Sequence, residues 1–121
     1  MSEKKKILLV EDEVITASSL KMGLESLGFD VCPLATRGDR ALALAISEKP
    51  DAVLMDVNLP GSMNGIETAA KILAEIDTQI LFLTGYHDDD VIAKINALNP
   101  MGYFVKPVSP ERIKEKLNEY L

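Results

Sequence analysis

Apolar residues follow two alternating rhythms along this chain. Largely apolar runs at residues 7–10, 30–34, 52–55, 80–83 and 103–105 lack polar alternation, as expected of strands covered by helices on both faces. Between them, apolar positions recur at helical spacing. Val14, Ala17, Leu20, Leu24 and Leu27 make one stripe, with Gly28 as its stop. Ala41, Leu42, Ala45 and Ile46 make a second, closed by Pro50, and Ile66, Ala69, Ala70, Leu73 and Ile76 make a third. Val91, Ile95 and Leu98 form a fourth, ended by Asn99 and Pro100. Ser109 is placed to cap a last helix, with Pro110 at its first position and Ile113, Leu117, Tyr120 and Leu121 on its inner face. The order is strand then helix, five times over. Such alternation predicts a parallel sheet with right-handed crossovers. Five units are too few for an eight-stranded barrel, so an open, doubly wound α/β sheet is expected.

The residues at the strand ends give the fold its chemistry. The first run ends at Glu11 and Asp12, the third at Asp56, the fourth at Thr84 and the fifth at Lys106. In a parallel sheet these residues gather at the carboxyl edge, where open α/β sheets bind ligands. Glu11 and Asp12 alone would pass for solvated acids at a helix start. Asp56 is different, because an unpaired carboxylate at the end of a buried central strand is costly. Crowded like charges also oppose one another's ionisation. A divalent cation relieves both problems, and magnesium, which takes oxygen ligands and keeps waters, suits such a site. Lys106 supplies a point charge for phosphate, Thr84 a hydroxyl donor, and Gly85 leaves space beside it. A carboxylate so placed can act as a nucleophile and form an aspartyl phosphate.

In the segments Leu8-Leu9-Val10-Glu11-Asp12-Glu13, Met55-Asp56-Val57-Asn58-Leu59-Pro60, Leu83-Thr84-Gly85 and Tyr103-Phe104-Val105-Lys106-Pro107, the chain resembles the receiver domains of two-component response regulators. The resemblance runs over essentially the whole length. It implies a flavodoxin-like sheet in the order 2-1-3-4-5. It makes Asp56 the phosphoacceptor, and Glu11, Asp12, Asp56 and the backbone carbonyl of Asn58 the ligands of Mg2+, for which Mn2+ can substitute. Thr84 and Lys106 would bind phosphoryl oxygens, the Lys106–Pro107 peptide would be cis, and Tyr103 would respond to Thr84 as the readout. A histidine kinase or histidine phosphotransfer protein would donate the phosphoryl group. A downstream protein target would read the face formed by helix 4, strand 5 and helix 5, from a monomer or a phosphorylation-dependent dimer. One departure concerns the loop after Asp56. Pro60 keeps the family's spacing, but Gly65 lies one residue farther along than the family's glycine, so the rim around the site is expected to differ.

Two other classes compete. An aspartate-nucleophile phosphatase also sets its Asp after a strand, but that family wants a second Asp two residues on, where this chain has Asn58, and a capping insertion for which there is little room. A pseudo-receiver, a binding module that is never phosphorylated, is opposed by the intact Glu11, Asp12, Asp56, Thr84 and Lys106. A signalling switch that is not itself an enzyme is the leading expectation.

Composition narrows the setting. At 121 residues, with 47% hydrophobic and 26% charged side chains, residues 1–121 are expected to form one globular receiver domain. With no effector segment present, the chain is expected to be either a single-domain regulator or the receiver part of a longer protein. The net charge of −6 argues against general nucleic-acid binding. The basic start at residues 1–6 is followed by only four apolar residues before Glu11, too short for an export signal. No run approaches the ~20 apolar residues of a membrane span, so a cytoplasmic location is expected. Cys32 is the only cysteine and reads as a buried, unreactive thiol. His87, the only histidine, reads as a solvated residue in a helix-opening loop, with Asp88–Asp90 complementing the helix dipole.

Overall fold

Five parallel strands form one sheet in the order β2-β1-β3-β4-β5 in the computed structural model, which describes residues 4–121. The first three residues of the basic leader lie outside the described residues. The strands are β1 (Lys6–Val10), β2 (Asp30–Val31), β3 (Ala52–Asp56), β4 (Gln79–Thr84) and β5 (Gly102–Val105). The helices are α1 (Val14–Ser26), α2 (Gly38–Glu48), α3 (Gly65–Glu75), α4 (Asp89–Asn96) and α5 (Pro110–Tyr120). The fold is the doubly wound, flavodoxin-like α/β sheet expected from the alternation of runs and stripes. Among the described residues, no helix is long and apolar enough to cross a membrane.

The sheet divides the core in two, which explains why its strands show no polar alternation. Leu8, Val10, Val53, Met55, Ile80 and Phe82 pack with residues of α2, α3 and α4, among them Leu44, Ala69, Ile72 and Ile95. Their neighbours along the strands, Ile7, Leu9, Ala52, Leu54, Leu81 and Leu83, pack with Leu20 and Leu24 of α1 and with Ile113 and Leu117 of α5. Successive strand residues face opposite sides, so both sides must be apolar. Each fully buried aliphatic side chain contributes about 1.5–3 kcal/mol.

The second strand is shorter than its apolar run. Regular pairing stops at Val31, before Pro33, which has no N–H to donate. The chain still follows β1: Cys32 N donates to Ile7 O at 2.9 Å and Ala35 N to Leu9 O at 3.2 Å. Cys32 is buried, and that burial pushes its thiol up to about 11, in keeping with an inert side chain.

Several helical stripes are rotated from their expected positions. In α3 the buried residues are Gly65, Thr68, Ala69 and Ile72, whereas Ala70 is exposed. Thr68 can enter the interior because its hydroxyl donates to Asn64 O at 2.7 Å. In α2, Leu44 is buried and Ile46 is turned out. Val14 and Tyr120, expected on inner faces, are exposed, and the Lys116 ammonium lies 5.7 Å from the Tyr120 ring centre. Helix starts follow capping chemistry more closely. Ser109 accepts from Arg112 N at 3.1 Å, and Asp88 accepts from Asp90 N and Val91 N. Asn64 and Glu67 form a capping box at α3, a signal present in the sequence that apolar spacing alone passes over.

Candidate functional site

Register sets the acidic residues side by side. Val10 pairs with Met55, so the next residue on each strand, Glu11 on one and Asp56 on the other, comes level at the carboxyl edge. Asp56 is the last residue of β3 and pairs with Leu83; one step farther, Thr84 pairs with Val105. Backbone bonds fix these ends. Glu11 N donates to Ala35 O at 3.0 Å, Val57 N to Leu83 O at 2.9 Å, and Lys106 N to Thr84 O at 2.7 Å. The Lys106–Pro107 peptide is cis.

Glu11 and Asp56 are buried, whereas Asp12 is exposed. One carboxylate oxygen from each of the three lies within 4.8 Å of the other two. Lys106 Nζ bridges the buried pair, at 2.9 Å from Glu11 Oε1 and 3.1 Å from Asp56 Oδ2. The second oxygens are also held: Asn58 N donates to Asp56 Oδ1 at 3.1 Å, and Glu13 N donates to Glu11 Oε2 at 3.1 Å. Thr84 Oγ1 donates to Tyr86 O at 3.0 Å. A side chain at Gly85 would meet nothing within 4 Å, so the space beside Thr84 is open.

The charges are unevenly shared. Burial and the neighbouring Glu11 push the Asp56 carboxyl up to about 7. Glu11 goes the other way: burial would raise it, but hydrogen bonds with Asp56 and Lys106 outweigh burial and hold it below its ordinary value. Asp12 is raised by burial and by Glu11. Burial opposes the charge on Lys106, but the two acids overcome it and raise its pKa. One lysine therefore balances only part of the acidic charge. Three convergent carboxylates with charge left over are a donor set for a hard divalent cation.

The residues singled out in the sequence thus meet at one edge: Glu11, Asp12, Asp56 and Lys106 converge there, Thr84 ends the neighbouring strand, and Asn58 follows just beyond Asp56. Tyr103 packs half-buried against the core that contains Phe82 and Ile95, on the opposite side of β5 from Phe104. His87 is exposed as expected, but it has partners: Asp89 Oδ1 at 3.1 Å from Nε2 and Tyr103 Oη at 3.4 Å from Nδ1. Two further features carry no simple sequence signal. Ala35 pins Glu11 through a backbone carbonyl, which any residue could supply. An apolar cleft of about 450 Å3, lined by Ile15, Leu20, Pro107, Val108 and Pro110, opens between α1 and the start of α5 and reaches Lys106. It joins residues distant in the chain.

Known proteins resemble this chain in sequence and fold. The transcriptional regulatory protein PdtaR of Mycobacterium tuberculosis is 32% identical over 105 residues, covering 87% of this chain and 51% of that protein. The chain spans about half the length, or less, of the curated relatives it matches. Among solved structures, the signal receiver domain of a modulated diguanylate cyclase from Desulfovibrio desulfuricans is 33% identical with a TM-score of 0.90, covering 97% of this chain and 93% of that one. A response regulator protein from Burkholderia pseudomallei, solved with a phosphorylated aspartic acid and a calcium ion, is 31% identical with a TM-score of 0.85, covering 94% of this chain and 66% of that one. The family model described as the response regulator receiver domain matches residues 7–118, and the chain belongs to that family of signalling receivers.

Proposed function

We propose that the chain is a phosphoryl-accepting switch, in which Asp56 takes a phosphoryl group from a phosphohistidine of a histidine kinase or phosphotransfer protein. The observation that carries this reading is the buried Asp56 carboxyl, level with Glu11 and 3.1 Å from Lys106 at an open edge. An Asp56 oxygen attacks phosphorus as the bond to the imidazole nitrogen breaks, and the imidazole leaves with that electron pair. The nucleophile must be ionised, and Lys106 favours that state. Glu11, Asp12, Asp56 and the carbonyl of Asn58 would hold Mg2+, or Mn2+ in its place; bound there, the cation would neutralise phosphoryl charge. Lys106 supports the equatorial oxygens from one side. Thr84, released from Tyr86, would donate to another of them and draw its loop inward, and Tyr103 would follow. That change would alter the face formed by α4, β5 and α5, which a downstream protein reads. The apolar cleft beside Lys106 suits a helical donor partner. The chain acts here as a switch whose only chemistry is on itself.

Incubation with Mg2+ and acetyl phosphate, followed by intact mass, tests the reading. One phosphate is expected on the protein and none on the Asp56→Asn variant. No mass gain, or the same gain in the variant, would leave a binding module that is never phosphorylated. Sustained turnover of phosphate monoesters would point instead to a phosphatase.

A further inference from the structure

We propose that His87 is a positioning residue that links the loop after Thr84 to the ring of Tyr103. The proposal rests on the reading of Asp56 as phosphoacceptor and adds to it the path by which the acceptor's state reaches β5. A hydroxyl has one hydrogen to give. Thr84 Oγ1 spends it on the carbonyl of Tyr86 at 3.0 Å, so it must leave that carbonyl before it can donate to a phosphoryl oxygen. The Tyr86 carbonyl belongs to the peptide that joins Tyr86 to His87, so releasing it frees the backbone that carries the imidazole.

The imidazole is held on both sides. Asp89 Oδ1 lies 3.1 Å from Nε2, and a carboxylate there only accepts, which assigns the hydrogen to Nε2. In the neutral ring Nδ1 is then an acceptor, facing the Tyr103 hydroxyl at 3.4 Å, with the two ring centres 6.3 Å apart. Asp89 lies in the first turn of α4, His87 in the loop after β4, and Tyr103 on β5. The chain Asp89–His87–Tyr103 therefore joins the loop after β4 to α4 and β5, two elements of the signalling face. It favours the arrangement in which Thr84 is turned to Tyr86, and it opposes the phosphoryl-bound one. His87 is 59% exposed and Asp89 97%, so water competes for every contact and the coupling is modest.

Beryllofluoride with Mg2+, titrated into isotopically labelled protein and followed at the Thr84 methyl by nuclear magnetic resonance, reads this coupling. His87→Ala and Tyr103→Phe are each expected to tighten beryllofluoride binding by about two- to fivefold, the scale of one exposed hydrogen bond. The double variant should gain no more than either single one. His87→Phe, which keeps a ring but no nitrogen, should behave as His87→Ala. In His87→Ala the Tyr103 ring signals should already be displaced before any probe is added. Additive effects, unchanged affinities, or a His87→Phe variant that matches the parent protein would each overturn the link while leaving Asp56 as the acceptor. A parent protein that binds no beryllofluoride would overturn both readings.

Discussion

Replacing Asp56 with asparagine should stabilise the metal-free protein at pH 8, although it removes an ion pair with Lys106. The Asp56 carboxyl is pushed from 3.8 up to about 7 by burial and by Glu11. A carboxyl whose pKa rises on folding holds its proton more tightly in the folded chain. Its stabilising contribution is full below the unfolded value and is lost as pH climbs through the folded one. Glu11, with a lowered pKa, contributes in the opposite sense: its share is present above its ordinary 4.5 and lost in acid, so it is constant from pH 5 to 8. Lys106, raised, contributes throughout that window. Asp12, exposed and raised by burial and by Glu11, adds a lesser share in the same sense as Asp56. Asp56 dominates there, and the metal-free protein should lose about 2–3 kcal/mol between pH 5 and pH 8. For a domain of this size that is a fall of roughly 10 °C in Tm.

Asp56→Asn should flatten that profile. Mg2+ at one hundred times its Kd should return about 2.7 kcal/mol to the parent protein at pH 8 and much less to the variant. The chain has no tryptophan, so thermal unfolding is best followed by circular dichroism at several pH values, with and without Mg2+. A metal-free parent whose stability is level or rises from pH 5 to 8 would refute the crowding of charge at Asp56. The same fall in the variant would assign the effect to another group.

Two other substitutions test how the site is framed. Gly65→Ala would place a Cβ against the backbone oxygen of Asp56, and denaturant unfolding should show a loss of about 1–3 kcal/mol with weakened Mg2+ binding. Asp88→Ala removes the acceptor for Asp90 N and Val91 N at the start of α4 and should cost that helix about 1 kcal/mol. Ile95 is the one buried side chain within α4, so hydrogen exchange should speed up in α4 well before global stability changes.

The sheet was readable because its strands are buried on both faces. Period-two geometry then demands unbroken apolar runs, and each run ends where the interior ends. Helix faces were harder to read. Ala70 and Ile46 are apolar but exposed, whereas Thr68 is polar but buried, because a helix can absorb a hydroxyl by bonding it back to its own carbonyl. Composition cannot distinguish those cases. The strand order was not readable from periodicity either; it came from resemblance, since several arrangements would bury the same runs. Pro33, by contrast, was a visible warning that the second strand would stop early.

The loop after Asp56 separates spacing from contact. Gly65 stands one residue farther along than the family's glycine, yet it still lies against the Asp56 backbone oxygen, and its N–H donates to Val57 O at 2.8 Å. That contact is set by how closely the start of α3 passes the end of β3, and only a residue without a Cβ fits there. In the loop before Gly65, Gly61 turns at φ 96° and the Arg37 guanidinium covers the turn. Met63 then packs over Gly38, joining the loop to the start of α2. Asn64 and Glu67 restart regular structure with their capping box. A sequence motif counts residues, but the physical constraint is the meeting of two backbones. An insertion that leaves this meeting intact leaves the carboxylate tied to the end of its strand.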